Sequence, residues 1–334
     1  MLNEVFKRST IPTLPEDWPS IFAEDVMPIL GVVVFAVLLI IEIIPSRHKI
    51  FKKILFQSYQ TNISMFLFNS IILSLLSVSS LLLLAEQYHH NGILSMYDPP
   101  IKLALAFILL DLTLYVWHWA NHRYDVLWIF HKVHHSDKSM NVSTAFRIHF
   151  IEVLLTTLVK ALFVMATGVE VAVVASCEAV SIFFAMFHHL NFSFRTEKWL
   201  KWIIIVPAMH RIHHSSIRKE HDSNYGAIFS IWDRLFRTAS DLRTGKIGLP
   251  NIKALNFFEL LHFGLMPIAT AKVQLEVVNQ QFDRAVKQSV NVDAMIAEAA
   301  YYIAEKRGFT PGRDLFDWLE AERYVKESLQ PSMG

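Results

Sequence analysis

Cysteine is almost absent from this chain: Cys177 is the only one in 334 residues. One thiol excludes a disulfide framework, a Cys-ligated zinc ribbon and a built-in iron–sulfur cluster. Charge is scarce as well, at 18% of residues against roughly 25% in soluble globular domains. The 31 basic and 30 acidic residues nearly cancel, so there is no basic excess for holding nucleic acid. The chain also lacks a glycine-rich dinucleotide fingerprint and a His-Glu-x-x-His zinc motif. Strand-like alternation of any length is missing, which leaves an all-α chain. The opening "MLNEVFKRSTIPTLPEDW" has no small-residue cleavage site after the first apolar run, so it does not read as a signal peptide.

What is present is apolar. Hydrophobic residues make up 53% of the chain, and phenylalanine alone numbers 25. Four regions suit a bilayer, whose core asks for about 20 apolar residues per helix. They are 28–44, 63–85, 101–117 and 153–187, the last long enough for a helical hairpin bent at "ATGVE". Arg47, Lys49, Lys52 and Lys53 crowd the loop 46–53, whereas 86–100 carries no Lys or Arg. The positive-inside bias therefore predicts 46–53 in the cytoplasm and 86–100 outside. Span three and the open end of the hairpin then return to the cytoplasmic face. The expected architecture is an integral membrane helical bundle of about four spans, hairpin included, with a cytoplasmic histidine-rich helical cap.

Four segments follow from this pattern: an N-terminal stretch 1–27, a membrane and histidine-rich domain 28–250, an amphipathic connector 251–290 and a small helical appendage 291–334. The connector contains "FFELLHFGLMPIATA", expected to lie along the membrane surface. In the appendage, Gly308 suits a helix stop and Pro311-Gly312 a turn.

Histidine is the anomaly. There are 16, and twelve fall between 118 and 221. His118 and His122 in "HWANH" are four apart on a helix continuing from span three. His131, His134 and His135 in "HKVHH" stand at i, i+3 and i+4, as do His210, His213 and His214 in "HRIHH". Each triplet is expected on one face of a helix. A structural zinc site needs four ligands, so eight clustered imidazoles point to two metal ions. Imidazole suits iron, copper, nickel and zinc, which leaves the metal open. Exposed pH-sensing histidines are the bland alternative. A metal transporter or store would continue polar residues through the spans, and the first two spans offer almost none.

Residues 111–238 resemble the fatty acid hydroxylase/sterol desaturase superfamily of membrane-bound di-iron oxygenases, whose pattern is HxxxH, HxxHH and HxxHH. "HKVHHSDKSMNVSTAFRIHFIE", "FHHLNF" and "MHRIHHSSIRKEHDSNYGAIFSIWDRLFRT" are similar to its bacterial sterol-desaturase-type branch. The stretch 292–325 separately resembles a small bacterial appendage domain of unknown function. The resemblance implies two Fe ions, with zinc able to replace them in purified protein. It adds His189 and His149 to the eight clustered histidines, although Phe150 stands where proline usually follows the latter. His188 and His221 read as bystanders, and His48, His89, His90 and His262 fall outside the pattern.

Ligand histidines need partners that orient the ring. Asp111, a carboxylate inside an apolar span, is expected to serve the later clusters or Tyr115. Asp137, Glu152, Asp222 and Asn224 lie close in sequence to the clusters and are expected to do the same. Trp232 and Phe236 read as core. The resemblance implies use of O2 and two external electrons to hydroxylate, or less simply desaturate, a C–H bond of a lipid. The substrate would be a fatty acyl chain, a sterol-like or hopanoid-like ring, a carotenoid or an alkylglycerol ether. The electrons would come from a ferredoxin or cytochrome b5-like donor with its reductase, docking on Lys132, Lys138, Arg211, Arg218 and Lys219. A bacterial inner membrane, with the metal site at its cytoplasmic face, is the expected location.

Overall fold

A computed structural model describes residues 27–43, 52–75, 81–242, 246–250, 252, 256–266 and 292–328. Within these the chain is helical, with two isolated antiparallel bridges, Ile204 to Phe229 and Ser215 to Ile247. It divides into two units, residues 1–268 and 269–334. Helices α4 (Pro99–Arg123), α6 (Phe150–Thr167) and α7 (Val171–His188) are long and apolar enough to cross a membrane. Helix α1 (Met27–Ile43) is a shorter apolar helix.

The second expected span is shared between two helices, α2 (Lys52–Leu75) and α3 (Leu81–Tyr88), with 76–80 outside the described residues. The chemistry of α2 explains why hydropathy misplaced it. Ser58, Thr61, Asn62 and Asn69 form one helical stripe and are all buried. Phe56, Ile63, Phe66, Leu67 and Ile71 are exposed on the rest of the surface. The helix is thus inverted relative to one in a soluble protein, with polar groups against the protein and apolar groups outward.

Pro99 and Pro100 open α4, where their missing N–H groups cost nothing. Gly168, left-handed at φ 64°, ends α6 and turns the chain into α7, at the bend expected from "ATGVE". Gly92 packs directly on that turn: a methyl on Gly92 would come within 2.0 Å of the Gly168 nitrogen. Ile93 and Leu94 N–H donate to the Ala166 and Thr167 carbonyls, and Lys102 pairs with Glu170. Ala85, Leu94, Ala106, Leu110, Val164 and Val173 fill the space beneath. The far ends of α4, α6 and α7 carry His118 and His122, Glu152, and His188 respectively. All three spans therefore deliver polar residues to one end.

The remaining helices of this unit lie at or near that end. They are α5 (Asp125–His131), α8 (Glu197–Leu200), α9 (Pro207–His213), α10 (Arg218–His221), α11 (Ile231–Leu235) and α12 (Phe257–Phe263). The expected connector 251–290 lies mostly outside the described residues, as does nearly all of segment 1–27. Its described part, α12 with the turn after it, buries one face, where Leu260 and Phe263 pack with Met65 and Val133, and exposes Phe258 and Leu265. Gly264 permits this, because a methyl there would sit 2.2 Å from the His149 ring. The second unit, taken by itself, pairs α13 (Val292–Lys306) with α14 (Asp314–Ser328) through Ile296, Ala321 and Val325. Gly308, at φ 67°, stops α13 as expected, and Arg307 pairs with buried Asp317.

Substituting Gly92→Ala forces backbone apart at the hairpin tip. Overpacking of this kind costs about 2 kcal/mol, so thermal unfolding in detergent should show a Tm lowered by roughly 4–8 °C. An unchanged Tm would mean that the two glycines do not meet.

Candidate metal centre

The two histidine triplets do not lie on single helical faces. Helix α5 ends at His131, and His134 and His135 follow in a separate 3-10 turn, His134–Ser136. Successive side chains diverge by about 120° in such a turn, and these two rings stand at 83° to each other. In the second triplet α9 ends at His213, with His214 as its C-terminal cap. The divergence sends each triplet in two directions.

Two groups of imidazoles result. His118, His122, His131, His135 and His213 form the first; His134, His189, His210 and His214 form the second. Within each, one ring nitrogen per residue lies within 4.8 Å of all the others. The first triplet gives its outer two histidines to the first group and its middle one to the second. The second triplet does the reverse. Nine of the ten expected histidines are brought together in this way.

The donor atoms have the arrangement a metal ion asks for. In the first group the Nε2 atoms of His118 and His131 face each other at 3.2 Å. In the second, His189 Nε2 is 3.1 Å from His134 Nε2 and 3.0 Å from His210 Nε2. Ligands about 2.0–2.1 Å from a shared metal would be separated by about 3.3 Å in a tetrahedron. His122, His135 and His213 keep buried Nε2 atoms with no hydrogen-bond partner, an arrangement costly unless those lone pairs serve a ligand.

Five rings are held by their other nitrogen. His131 Nδ1 meets Glu152 Oε1 at 2.7 Å, and His122 Nδ1 meets Asp222 Oδ1 at 3.1 Å. His118 Nδ1 donates to the Tyr225 carbonyl, His213 Nδ1 to Ser223 and His189 Nδ1 to Ala185, at 2.8, 2.8 and 2.5 Å. Each bond places the proton on Nδ1 and leaves the Nε2 lone pair facing the group.

The other expected orienting residues act elsewhere. Asp111 touches no histidine; it accepts the N–H groups of Ile228 and Phe229 and the indole N–H of Trp232. It therefore fastens the loop after the second triplet to the middle of α4; of the two residues expected as core, Trp232 is half-buried and donates here, and Phe236 is exposed. Asp137 accepts from Ser58, Asn62, Thr144 and Ser139. Asn224, left-handed at φ 54°, bonds the Met209 and Ser240 carbonyls and the Ser240 N–H. It shapes the loop whose Ser223 and Tyr225 carbonyls receive two histidines.

His149 belongs to neither group. Its Nδ1 accepts the Ile151 N–H and caps α6, the helix-start role that an unusual Phe150 leaves to it. His188 and His221, expected as bystanders, are buried against the site: the His188 ring lies 3.9 Å from that of His210, and His221 stacks on Trp128 and groups with His122 and Asp222. The expected docking patch also changes. Lys132 is buried, donating to the Met266 carbonyl and lying 4.5 Å over Phe263. Arg211 braces the Leu190 and Phe192 carbonyls.

Sequence reasoning missed the polar scaffold behind the first triplet. Buried Arg147 donates to the Val133 carbonyl, to Ser136 Oγ and to Asn62 Oδ1. Glu42, from α1, accepts Tyr59 OH and the Val142 and Asn191 N–H groups. The available signal was the Ser58-Thr61-Asn62-Asn69 stripe inside an otherwise apolar helix.

Electrostatics agree with metal binding. Burial first, then mutual proximity, pushes His134, His135, His210, His213 and His214 well below the ordinary imidazole range. Burial takes His189 down to about 4, although the Ala185 carbonyl opposes it. These rings are neutral at pH 7, as ligation requires. For Asp137, burial works to raise the carboxyl, but the Arg147 charge and its donors prevail and hold it low.

Three outcomes follow. Glu152→Ala should weaken metal retention about 10–100-fold, measured by chelator competition, with Glu152→Gln milder; equal affinities would remove the orienting role. His213→Ala and His134→Ala should each lower metal content in elemental analysis, whereas His149→Ala should leave it unchanged. Because the folded imidazoles lie below the free value of about 6.5, the unfolded chain takes up protons first as pH falls. Stability and bound metal should be complete above that value and decline together below it; metal held undiminished at pH 5 would contradict this.

Comparison with known proteins agrees with the geometry. Residues 103–238 match the fatty acid hydroxylase family, and residues 292–327 match a protein family of unknown function. Ornithine lipid hydroxylase OlsE from Rhizobium tropici is 30% identical over 154 residues, 46% of each chain. Alkylglycerol monooxygenase is 29% identical in Xenopus tropicalis and 27% in Homo sapiens; each alignment covers 42% of this chain and 31% of that protein. The match thus spans less than half the length of these relatives, and no solved structure matches significantly. The domain that carries both triplets is thus similar to the fatty acid hydroxylase family and to these lipid hydroxylases and monooxygenases.

Proposed function

We propose that this protein is a membrane-bound di-iron oxygenase that hydroxylates a C–H bond of a lipid. The observation that carries the reading is the pair of buried imidazole groups interlocked by two triplets. Their nitrogens fit two iron ions, held by His118, His122, His131, His135 and His213 and by His134, His189, His210 and His214; zinc fits the same donors. Bound there, two irons would supply the activation of O2, with two external electrons, for attack on an unactivated C–H bond. The chain's own part is ligation, orientation and exclusion of water. Glu152, Asp222 and the Ser223 and Tyr225 carbonyls fix the rings, and the burial of eight of the nine histidines keeps bulk water from them.

A lipid substrate suits the surroundings. Exposed Ile101, Leu103, Ile108, Val116, Leu158 and Leu162 turn outward from the spans that lead to the site. Two relatives are named for lipid-like substrates, an ornithine lipid and an alkylglycerol, so an amphipathic lipid with long hydrocarbon chains is the first substrate class. Hydroxylation is preferred to desaturation because a single abstraction suffices. The rival, metal transport, asks for a polar path through the spans. The ionisable groups in α4, α6 and α7 away from the histidine end are engaged instead: Lys102 with Glu170, Lys160 with Glu178, and Asp111 with the 228–232 loop.

The histidine end is read as cytoplasmic, in a bacterial inner membrane, from the positive charge of 46–53. A ferredoxin or cytochrome b5-like donor with its reductase would dock there, on exposed Lys138, Arg218 and Lys219.

The test is production of the protein with a donor system under ¹⁸O2, followed by mass spectrometry of the lipids. A lipid carrying one labelled oxygen, absent with a His134→Ala/His213→Ala variant, is the expected result. Iron-loaded, reduced protein that neither consumes O2 nor changes any lipid would overturn the reading.

A further inference from the structure

Helices α8 and α11 build an exposed apolar edge that the metal groups do not use. Trp199, Trp202, Ile203, Ile231, Leu235 and Phe236 are each more than half exposed. Two stretches of chain form this edge as one piece. Ser230 donates its N–H to the Ile203 carbonyl and its hydroxyl to that of Lys201. The Arg234 guanidinium also bonds the Lys201 carbonyl while lying 4.0 Å over the Trp202 ring.

The position of the edge along the spans is set by Asp111, in the middle of α4, which holds the backbone N–H groups of Ile228 and Phe229. Around that anchor Phe107 meets Phe229 edge-on at 5.7 Å, and Tyr115 stacks on Phe236 at 5.3 Å. The α11 side of the edge therefore lies alongside α4 between residues 107 and 115, a helix with exposed Ile108 and Val116 of its own. The rim of the edge is basic: Arg195, Lys198 and Arg237 are exposed, Lys201 and Arg234 half-buried. The exposed acid, Asp241, is paired with Lys201.

We propose that this edge lies in the bilayer next to α4, with its tryptophans near the headgroup boundary and its basic rim on anionic phospholipid headgroups. Tryptophan is favoured at that boundary, and arginine and lysine there are drawn to anionic lipid. An apolar patch of this size rimmed by charge marks an interaction surface. Continuity with the lipid-facing side of α4 selects the bilayer as its occupant. A second copy of the chain fits less well, since a two-fold contact would set basic rim against basic rim. The proposal rests on α4 as a span, and not on any bound metal or on the oxygenase reading.

The experiment uses the full chain in nanodiscs of phosphatidylcholine and phosphatidylglycerol, with and without bromine on the acyl chains. Subtracting the fluorescence of a Trp199→Phe/Trp202→Phe variant from that of the unsubstituted protein isolates two of the 8 tryptophans. That difference should fall at least twofold in brominated lipid and resist aqueous acrylamide. Quenching by acrylamide alone overturns the proposal. Shielding from both quenchers, with a cross-linked dimer, also overturns it and assigns the edge to a second copy. Ile203→Cys carrying a nitroxide asks the same question without altering the tryptophans. Collisions with O2 should exceed those with a water-soluble nickel chelate, and the reverse order overturns the proposal.

Discussion

Nine imidazoles, eight of them in buried residues, must be packed together with their lone pairs converging, and the rest of the histidine end answers to that demand. An imidazole packed among others in a dry interior is costly to protonate and costly to leave unpartnered. Both costs are met when Nδ1 carries the proton to a fixed acceptor and Nε2 is kept for an ion. For five of the nine rings, Glu152, Asp222 and the carbonyls of Tyr225, Ser223 and Ala185 are those acceptors. They come from α6, α7 and the 222–225 loop, so the site is assembled only when spans and cap are both in place.

The polar residues that look misplaced in an apolar chain are the supports of that assembly. Asp111 holds the 228–232 loop, Glu42 holds the backbone at Val142 and Asn191, and Arg147 holds the loop from Val133 to Ser136. Each satisfies backbone groups of connections that run outside the α-helices, where a buried unpaired donor or acceptor costs about 1–3 kcal/mol. Ligand geometry here is thus a property of loops pinned by buried side chains as much as of helices.

Much of this was legible in the sequence. The all-helical class, the hairpin turning at Gly168 and the gathering of both triplets follow from apolar length, a glycine and spacing. The division of each triplet did not, because i, i+3, i+4 spacing means one face only if the helix continues, and α5 stops at His131. Asp111 and Asp137 were misjudged because nearness in sequence to a ligand says nothing about partners a hundred residues away, such as Phe229. His149 was misjudged for a related reason: capping a helix and ligating an ion use the same lone pair.

The inverted character of α2 has a consequence for biogenesis. As the chain is synthesised, α2 emerges with Ser58, Thr61, Asn62 and Asn69 on one face, long before the segment that will cover them. The partners of that stripe are Asp137, Asn141, Ser143, Arg147 and the Ile148 carbonyl. Until those residues appear, lipid is a poor solvent for the face and water a poor one for the opposite face. The buried face of α2 is therefore without its hydrogen-bond partners until the first triplet and its loop have been made, so the seating of this helix depends on the polypeptide that also builds the metal site.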